Sequence, residues 1–137
     1  MSFSNYLENK VLNHVFGGTS YSAPATLYVG VFTTAASDTD LGTEVSGGSY
    51  ARQSVAMTVS GTSPTQAANN AAIEFPEATA SWGTITYAGI FDASTGGNML
   101  AWAQLTDPID AVTPLPKTIT TGDILRIAPG NIKVTLE

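Results

Sequence analysis

The chain has 137 residues, 43% hydrophobic and only 12% charged, with a formal net charge of −6. That balance excludes a disordered chain, and 5 basic residues against 11 acidic ones exclude the cation clusters of a direct nucleic-acid binder. The absence of cysteine excludes a disulfide framework, a thiol nucleophile and a thiolate metal site.

The length predicts one domain, residues 1–137, with a single core. So few charges leave a neutral surface suited to association. The opening MSFSNYLENK has no basic leader before an apolar core and does not read as a secretory signal. No run approaches the roughly 18 to 20 apolar residues that cross a bilayer. The chain is therefore expected to be soluble, made in the cytoplasm and without a membrane partner.

Residues 5–16, NYLENKVLNHVF, are predicted as the one helix. Asn5 with Glu8 fits a capping box, Leu7, Val11 and Val15 form a stripe with Leu12 beside it, and Gly17-Gly18 ends it. Residues 1–18 then make an N-terminal helix or arm, which is too short to stand alone and must dock. After Pro24 the texture changes. Residues 26–34, TLYVGVFTT, alternate Leu27, Val29 and Val31 against Tyr28 and Phe32, the period of a strand.

A loop at 35–49 leads to a strand at 50–59, a turn region at 60–66 and a strand at 71–75 that stops at Pro76. Residues 83–91 and 98–105 flank a short Gly-rich turn and read as a hairpin. A Pro-rich link, DPIDAVTPLP, precedes a strand at 117–120. Residues 123–127 and 131–136 flank APG and read as a second hairpin. About eight short strands at roughly ten-residue spacing predict an all-β fold: an antiparallel sandwich, jelly-roll-like or a partly closed barrel, with the short N-terminal helix.

The candidate chemistry is thin. His14 is the only histidine, so a triad or a histidine metal site has nothing else to build on; it reads as a cation near a helix C-terminus. Asp38 and Asp40 have calcium-loop spacing without the glycine and glutamate that complete the loop, and read as a solvated loop. Glu74 and Glu77 flank Pro76 and read as surface charges rather than a glycosidase pair. The glycine pairs at 47–48 and 96–97 read as turns, not phosphate loops. No catalytic, cofactor or metal residue is identified. Trp82 and Trp102 read as core or interface aromatics.

Arg52 stands apart as one of two arginines. Its planar fork suits a carboxylate or several carbonyls, and Tyr50 lies two residues before it, on the same face of a strand. The expected partner is Glu44 across the Gly-Gly turn, or an acid on a neighbouring subunit. Arg52, Glu44 and Tyr50 are thus expected to form a structural clasp or an intersubunit contact.

Four blocks in order, YLENKVLNHVFGGTSYSAPATLYVGVFT, EVSGGSYARQSV, ASWGTITYAGIFDASTGGNMLAWAQL and TGDILRIAPGNIKVTLE, resemble small tailed-bacteriophage virion proteins usually labelled phage tail fibre proteins. The resemblance spans nearly the whole chain and implies a virion structural protein with no enzymatic role. Against it, 60–69 and 107–116 look like the freely varying parts.

Fibre chains carry repeats or heptads that let a shaft grow, and none is visible here. The expectation is therefore a capsid cement or decoration protein, a homo-oligomer bridging subunits of the phage major capsid protein. The alternative is a small tail fibre or tail-tip protein, touching tail proteins and acting in host adsorption. A carbohydrate-binding module using Trp82 or Trp102 is a third reading.

Overall fold

The structure, a computed structural model, describes residues 1–136. In chain order its elements are β1 (Ser2–Phe3), α1 (Asn5–Val15), β2 (Leu27–Phe32), β3 (Gln53–Val55), β4 (Met57–Ser60), β5 (Thr65–Asn69), β6 (Ile73–Glu74), β7 (Gly83–Ile85), β8 (Tyr87–Phe91), β9 (Met99–Gln104), β10 (Lys117–Ile119), β11 (Arg126–Ile127) and β12 (Lys133–Leu136). The principal sheet has the order β1-β9-β8-β2-β3, a second has β12-β5-β4, and β10-β7 and β11-β6 are two-stranded. Every ladder is antiparallel.

The two larger sheets share a continuous chain on one side, because β3 runs on into β4 through Ala56. On the other side the N-terminal ammonium donates to the Lys133 carbonyl at 2.8 Å. No ladder joins β1 to β12 among the described residues, so the layers form an open antiparallel arrangement and not a closed barrel.

Alternation along the strands sorts the side chains into two apolar groups. Val29 and Val31 of β2, Ala88 and Ile90 of β8 and Leu100 of β9 face the main core, where Ile73, Ile85 and Ile119 meet them from the two-stranded sheets and Ile132 from just ahead of β12. Phe32, Phe91 and Met99 gather on the opposite face, with Tyr28, Tyr87 and Trp102 at the margin. The principal sheet is therefore covered on both faces.

Covering the second face requires two glycines. Gly30 and Gly89 are direct cross-strand neighbours, and their missing side chains open a slot in which the aromatic rings lie against backbone. A Cβ on Gly89 would sit 3.0 Å from both Met99 Sδ and Phe32 Cε2, and one on Gly30 would sit 2.8 Å from Glu44 Oε1 and 3.1 Å from Phe91 Cε2.

Several local expectations are corrected. The 50–59 and 83–91 runs each break into two strands, at Ala56 and Thr86, and β1 and β5 are additional. β5 covers the second half of the 60–69 stretch that read as a turn and variable loop, and it is the central strand of its sheet. The second hairpin does not form: β11 pairs with β6 and β12 with β5. The cause is Asn69, 2% exposed. Its side chain accepts from Ile132 N at 2.8 Å and donates to the carbonyls of Ala71 and Ala128 at 2.9 and 3.0 Å, which ties the APG turn to the end of β5.

The helix cap also moves by one residue. Ser4, not Asn5, is the N-cap and accepts from Leu7 N; it is buried because its hydroxyl also donates to the Met99 carbonyl. Docking involves Tyr6 and Leu7, while Leu12, Val15 and Phe16 remain 57%, 61% and 82% exposed.

The glycine slot gives a direct test. Gly89→Ala and Gly30→Ala are each expected to destabilise the fold by about 1–3 kcal/mol through overpacking, read as a lower denaturant midpoint at unchanged slope. Neutral behaviour at both positions would show that the second face is loosely packed.

Candidate functional site

The cluster on the second face begins with a turn that only particular residues can make. Gly47, Gly48 and Ser49 all have positive φ, at 74°, 57° and 65°. At Gly48 a Cβ would also collide with Trp82 Nε1 at 2.8 Å, because that indole N–H donates to the Gly48 carbonyl at 2.9 Å. The turn delivers Tyr50 and Arg52 to the edge of β2, ahead of β3 rather than within a strand.

Tyr50 passes from the core to this edge. Its ring stacks on Phe75 at 6.0 Å and 11° and meets Trp82 edge-on at 5.4 Å. Its hydroxyl fills a gap along β2, between the β3 ladder that reaches Val29 and the isolated bridge of Phe32 with Glu44. There it accepts from Val31 N at 3.1 Å and donates to Glu44 Oε1 at 2.8 Å. Burial, more than the nearby Glu44, raises its pKa above the ordinary tyrosine range, so it stays a donor.

Arg52 closes the cluster. Nε donates to Glu44 Oε1 at 2.8 Å and Nη2 to Glu44 Oε2 at 2.7 Å, while Nη1 donates to the carbonyls of Ala93 and Gly96 at 3.0 and 2.8 Å. Four of the guanidinium's five N–H groups are thus used. Its guanidinium carbon, Cζ, also lies over Phe91, 3.5 Å from the ring centroid. The side chain is 6% exposed against 25% for Glu44. One cation therefore holds three things together: the 43–45 segment, the 92–98 loop and an aromatic face of the sheet.

Asp92 fixes the far side of that loop, accepting from Asn98 N at 2.7 Å and from Asn98 Nδ2 at 2.9 Å. With both Glu44 oxygens engaged and the Tyr50 hydroxyl bonded twice, the cluster's polar atoms are directed at one another. It can fix geometry; it presents no free base, nucleophile or metal-ligand set. Among the described residues no group of three or more His, Asp or Glu converges elsewhere.

The remaining sequence candidates are dispersed. Trp82 is 5% exposed in the core. Trp102 lies on the second face beside Tyr87 at 6.1 Å and donates its indole N–H to Asp38 Oδ1 at 2.8 Å. Asp40 accepts from Gly42 N at 3.0 Å within its own turn. His14 Nδ1 accepts from Tyr21 N at 3.1 Å, and Glu74 stands opposite Arg126 across the β6–β11 ladder.

Sequence reading missed the short acids that cap loops. Asp110 Oδ1 accepts from Val112 N and Thr113 N, both at 2.9 Å, and Asp123 Oδ2 accepts from Thr120 N at 2.8 Å. Asp110 lies two and three residues before its partners, the spacing of an Asx-type turn, which was the available signal, whereas Asp123 reaches back three residues to Thr120. The Thr113 hydroxyl first, then the two backbone N–H groups, holds Asp110 below the usual carboxylate range.

Fold and cluster together define a small antiparallel β-scaffold in which a buried ion pair fixes loops to a sheet. The chain belongs to the family described as podophage GP4 fiber I protein gp80, whose family model matches residues 2–135. That membership makes it a bacteriophage virion structural protein of the fibre type, and it supports the tail-fibre alternative where it gives the capsid cement expectation no support. None of the curated proteins compared with the chain matches it.

Two outcomes follow from the geometry. Arg52→Ala, which leaves Glu44 unpaired and two carbonyls unbonded, is expected to cost about 3–5 kcal/mol, with the 92–98 amides losing hydrogen-exchange protection. Arg52→Lys restores the charge but not the fork, and recovers only part of that loss.

For Asp110, a lowered folded pKa means stabilisation that is present above the unfolded carboxylate value and is lost as pH falls through the folded one. Carboxyl NMR titration should place its midpoint below that of an ordinary aspartate, and Thr113→Val should move it upward. An unmoved midpoint would remove the hydroxyl as principal cause.

Proposed function

We propose that this chain is a small fibre component at the phage tail, acting by adhesion and not by catalysis, and that it contacts tail proteins in the machinery of host adsorption. The observation that carries this is the fibre-family match over residues 2–135. Size refines it: a compact chain of 137 residues has a radius of gyration of about 14 Å. It also carries no repeat from which to extend a shaft, so a terminal or joint piece of a fibre suits it better than the shaft.

The clasp supports the same reading. Arg52 and Glu44 spend their hydrogen bonds on fixing loops, which suits a piece that must keep its shape under load. Trp82 is buried, so a saccharide-binding reading would rest on Trp102 alone.

Quantitative mass spectrometry of purified particles tests the proposal. A tail-fibre component is present in small multiples of the tail's symmetry, whereas a capsid cement scales with the shell. A copy number matching the major capsid protein would overturn the fibre assignment.

A further inference from the structure

Between β9 and β10, residues 107–116 form a loop whose backbone is tightly organised while its side chains are not covered. Asp107 N donates to the Thr113 carbonyl at 2.8 Å, Ala111 N to the Asp107 carbonyl at 2.8 Å, and Leu115 N to the Leu105 carbonyl at 2.9 Å. Thr106 and Pro114 add an antiparallel bridge. Asp107 Oδ1 accepts from Ile109 N at 2.8 Å, and Asp110 accepts from Val112 N, Thr113 N and the Thr113 hydroxyl.

This frame holds Ile109 93% exposed and Val112 77% exposed. Between them Ala111 has φ 57°, a left-handed conformation that a residue with a Cβ rarely takes and that glycine would take without strain. A loop selected only to connect two strands has no need to fix two large apolar side chains outward on a strained backbone. Such strain persists where the surroundings over-determine it, as the Asp107 and Asp110 hydrogen bonds do here.

Charge decides what the loop fits. Asp107 and Asp110 stand at the base of the two apolar side chains, and the whole chain carries −6. Arg52 is sunk to 6% exposure with four of its five donors used, and the other basic residues, Lys10, Lys117, Arg126 and Lys133, stand against 11 acidic ones, so a second copy brings more negative than positive charge. Two copies meeting here would bring like charges together, whereas an apolar recess with a basic rim on another protein satisfies both the side chains and the acids.

Position agrees with an external role. The loop leaves the C-terminal end of β9, while the helix is tied to its start, where Ser4 bonds the carbonyls of Met99 and Leu100.

We propose that residues 107–116 are a preformed plug that seats Ile109 and Val112 in an apolar, basic-rimmed recess of a different virion protein. The plug rests on the assignment of the chain to the virion. Its rigidity lowers the ordering cost of association, and a few apolar anchors then suffice for most of the binding.

The test compares particles assembled with wild-type chain, with the double variant Ile109→Ser and Val112→Ser, and with Val59→Ser, a control on β4 that is 69% exposed. Circular dichroism and thermal melting confirm that the purified variants fold. The double variant is expected to fall by about tenfold or more in copies per particle, as loss of anchor residues does, while Val59→Ser stays at wild-type level.

Retention of the double variant within about twofold of wild type, the range of a neutral rim contact, would overturn the plug. So would a wild-type oligomer in solution that the double variant converts to monomer, since the occupant would then be a second copy. Absence of the wild-type chain itself from particles would overturn the virion assignment and the plug with it, a result distinct from the other two.

Discussion

A single guanidinium organises the second face of the principal sheet. Arg52 sits over the Phe91 ring, grips both oxygens of Glu44 and takes the carbonyls of Ala93 and Gly96. Lysine could not replace it, because a point charge cannot address a carboxylate edge, two carbonyls and a ring face at once. Removing a charge from water is costly, and the cost is met only where nearly every donor finds a partner. That condition is satisfied for four of the five donors, and Tyr50 adds a bond to the same carboxylate.

The glycine pair belongs to the same arrangement. Without a Cβ at Gly30, Glu44 Oε1 and the Phe91 ring can both approach β2. Without one at Gly89, Phe32, Phe91 and Met99 close over the strand beside it. The clasp therefore stands on a floor that two missing methyl groups create. Charge pairing, aromatic packing and backbone conformation are coupled here, so a change in one is felt by the others.

How much of this is legible in the sequence depends on how far apart the partners lie along the chain. β2 shows its period of two, and β8 with β9 forms the expected hairpin because the turn between them is short and Gly-rich. Arg52 and Glu44 are eight residues apart, within reach of local inference, but the Ala93 and Gly96 carbonyls lie 41 and 44 residues further on and leave no local trace. The APG turn misleads for the same reason: Asn69, 63 residues from Ile132, captures it for β5. β5 itself, TQAAN, has Thr65 as its one β-branched residue and no aromatic, little of the content that marks strands, and long-range pairing on both sides makes it one.

The loops are fixed by two different means, and the difference bears on what a fibre component requires. At 92–98 a buried cation holds the chain from beneath; at 107–113 and 120–123 exposed aspartates hold it from within. The first is partly shielded from solvent, with Arg52 6% and Glu44 25% exposed, and the second answers to acidity, because the exposed carboxylates lose their charge on protonation. In both cases the conformational entropy of the loop is spent during folding and not during contact. A surface prepared in that way can adhere with few anchors and release little order on detachment. The proposed adhesive role asks a small domain for fixed shape more than for reactive groups, and the polar side chains of the clasp and of the aspartate turns are spent on fixing loops.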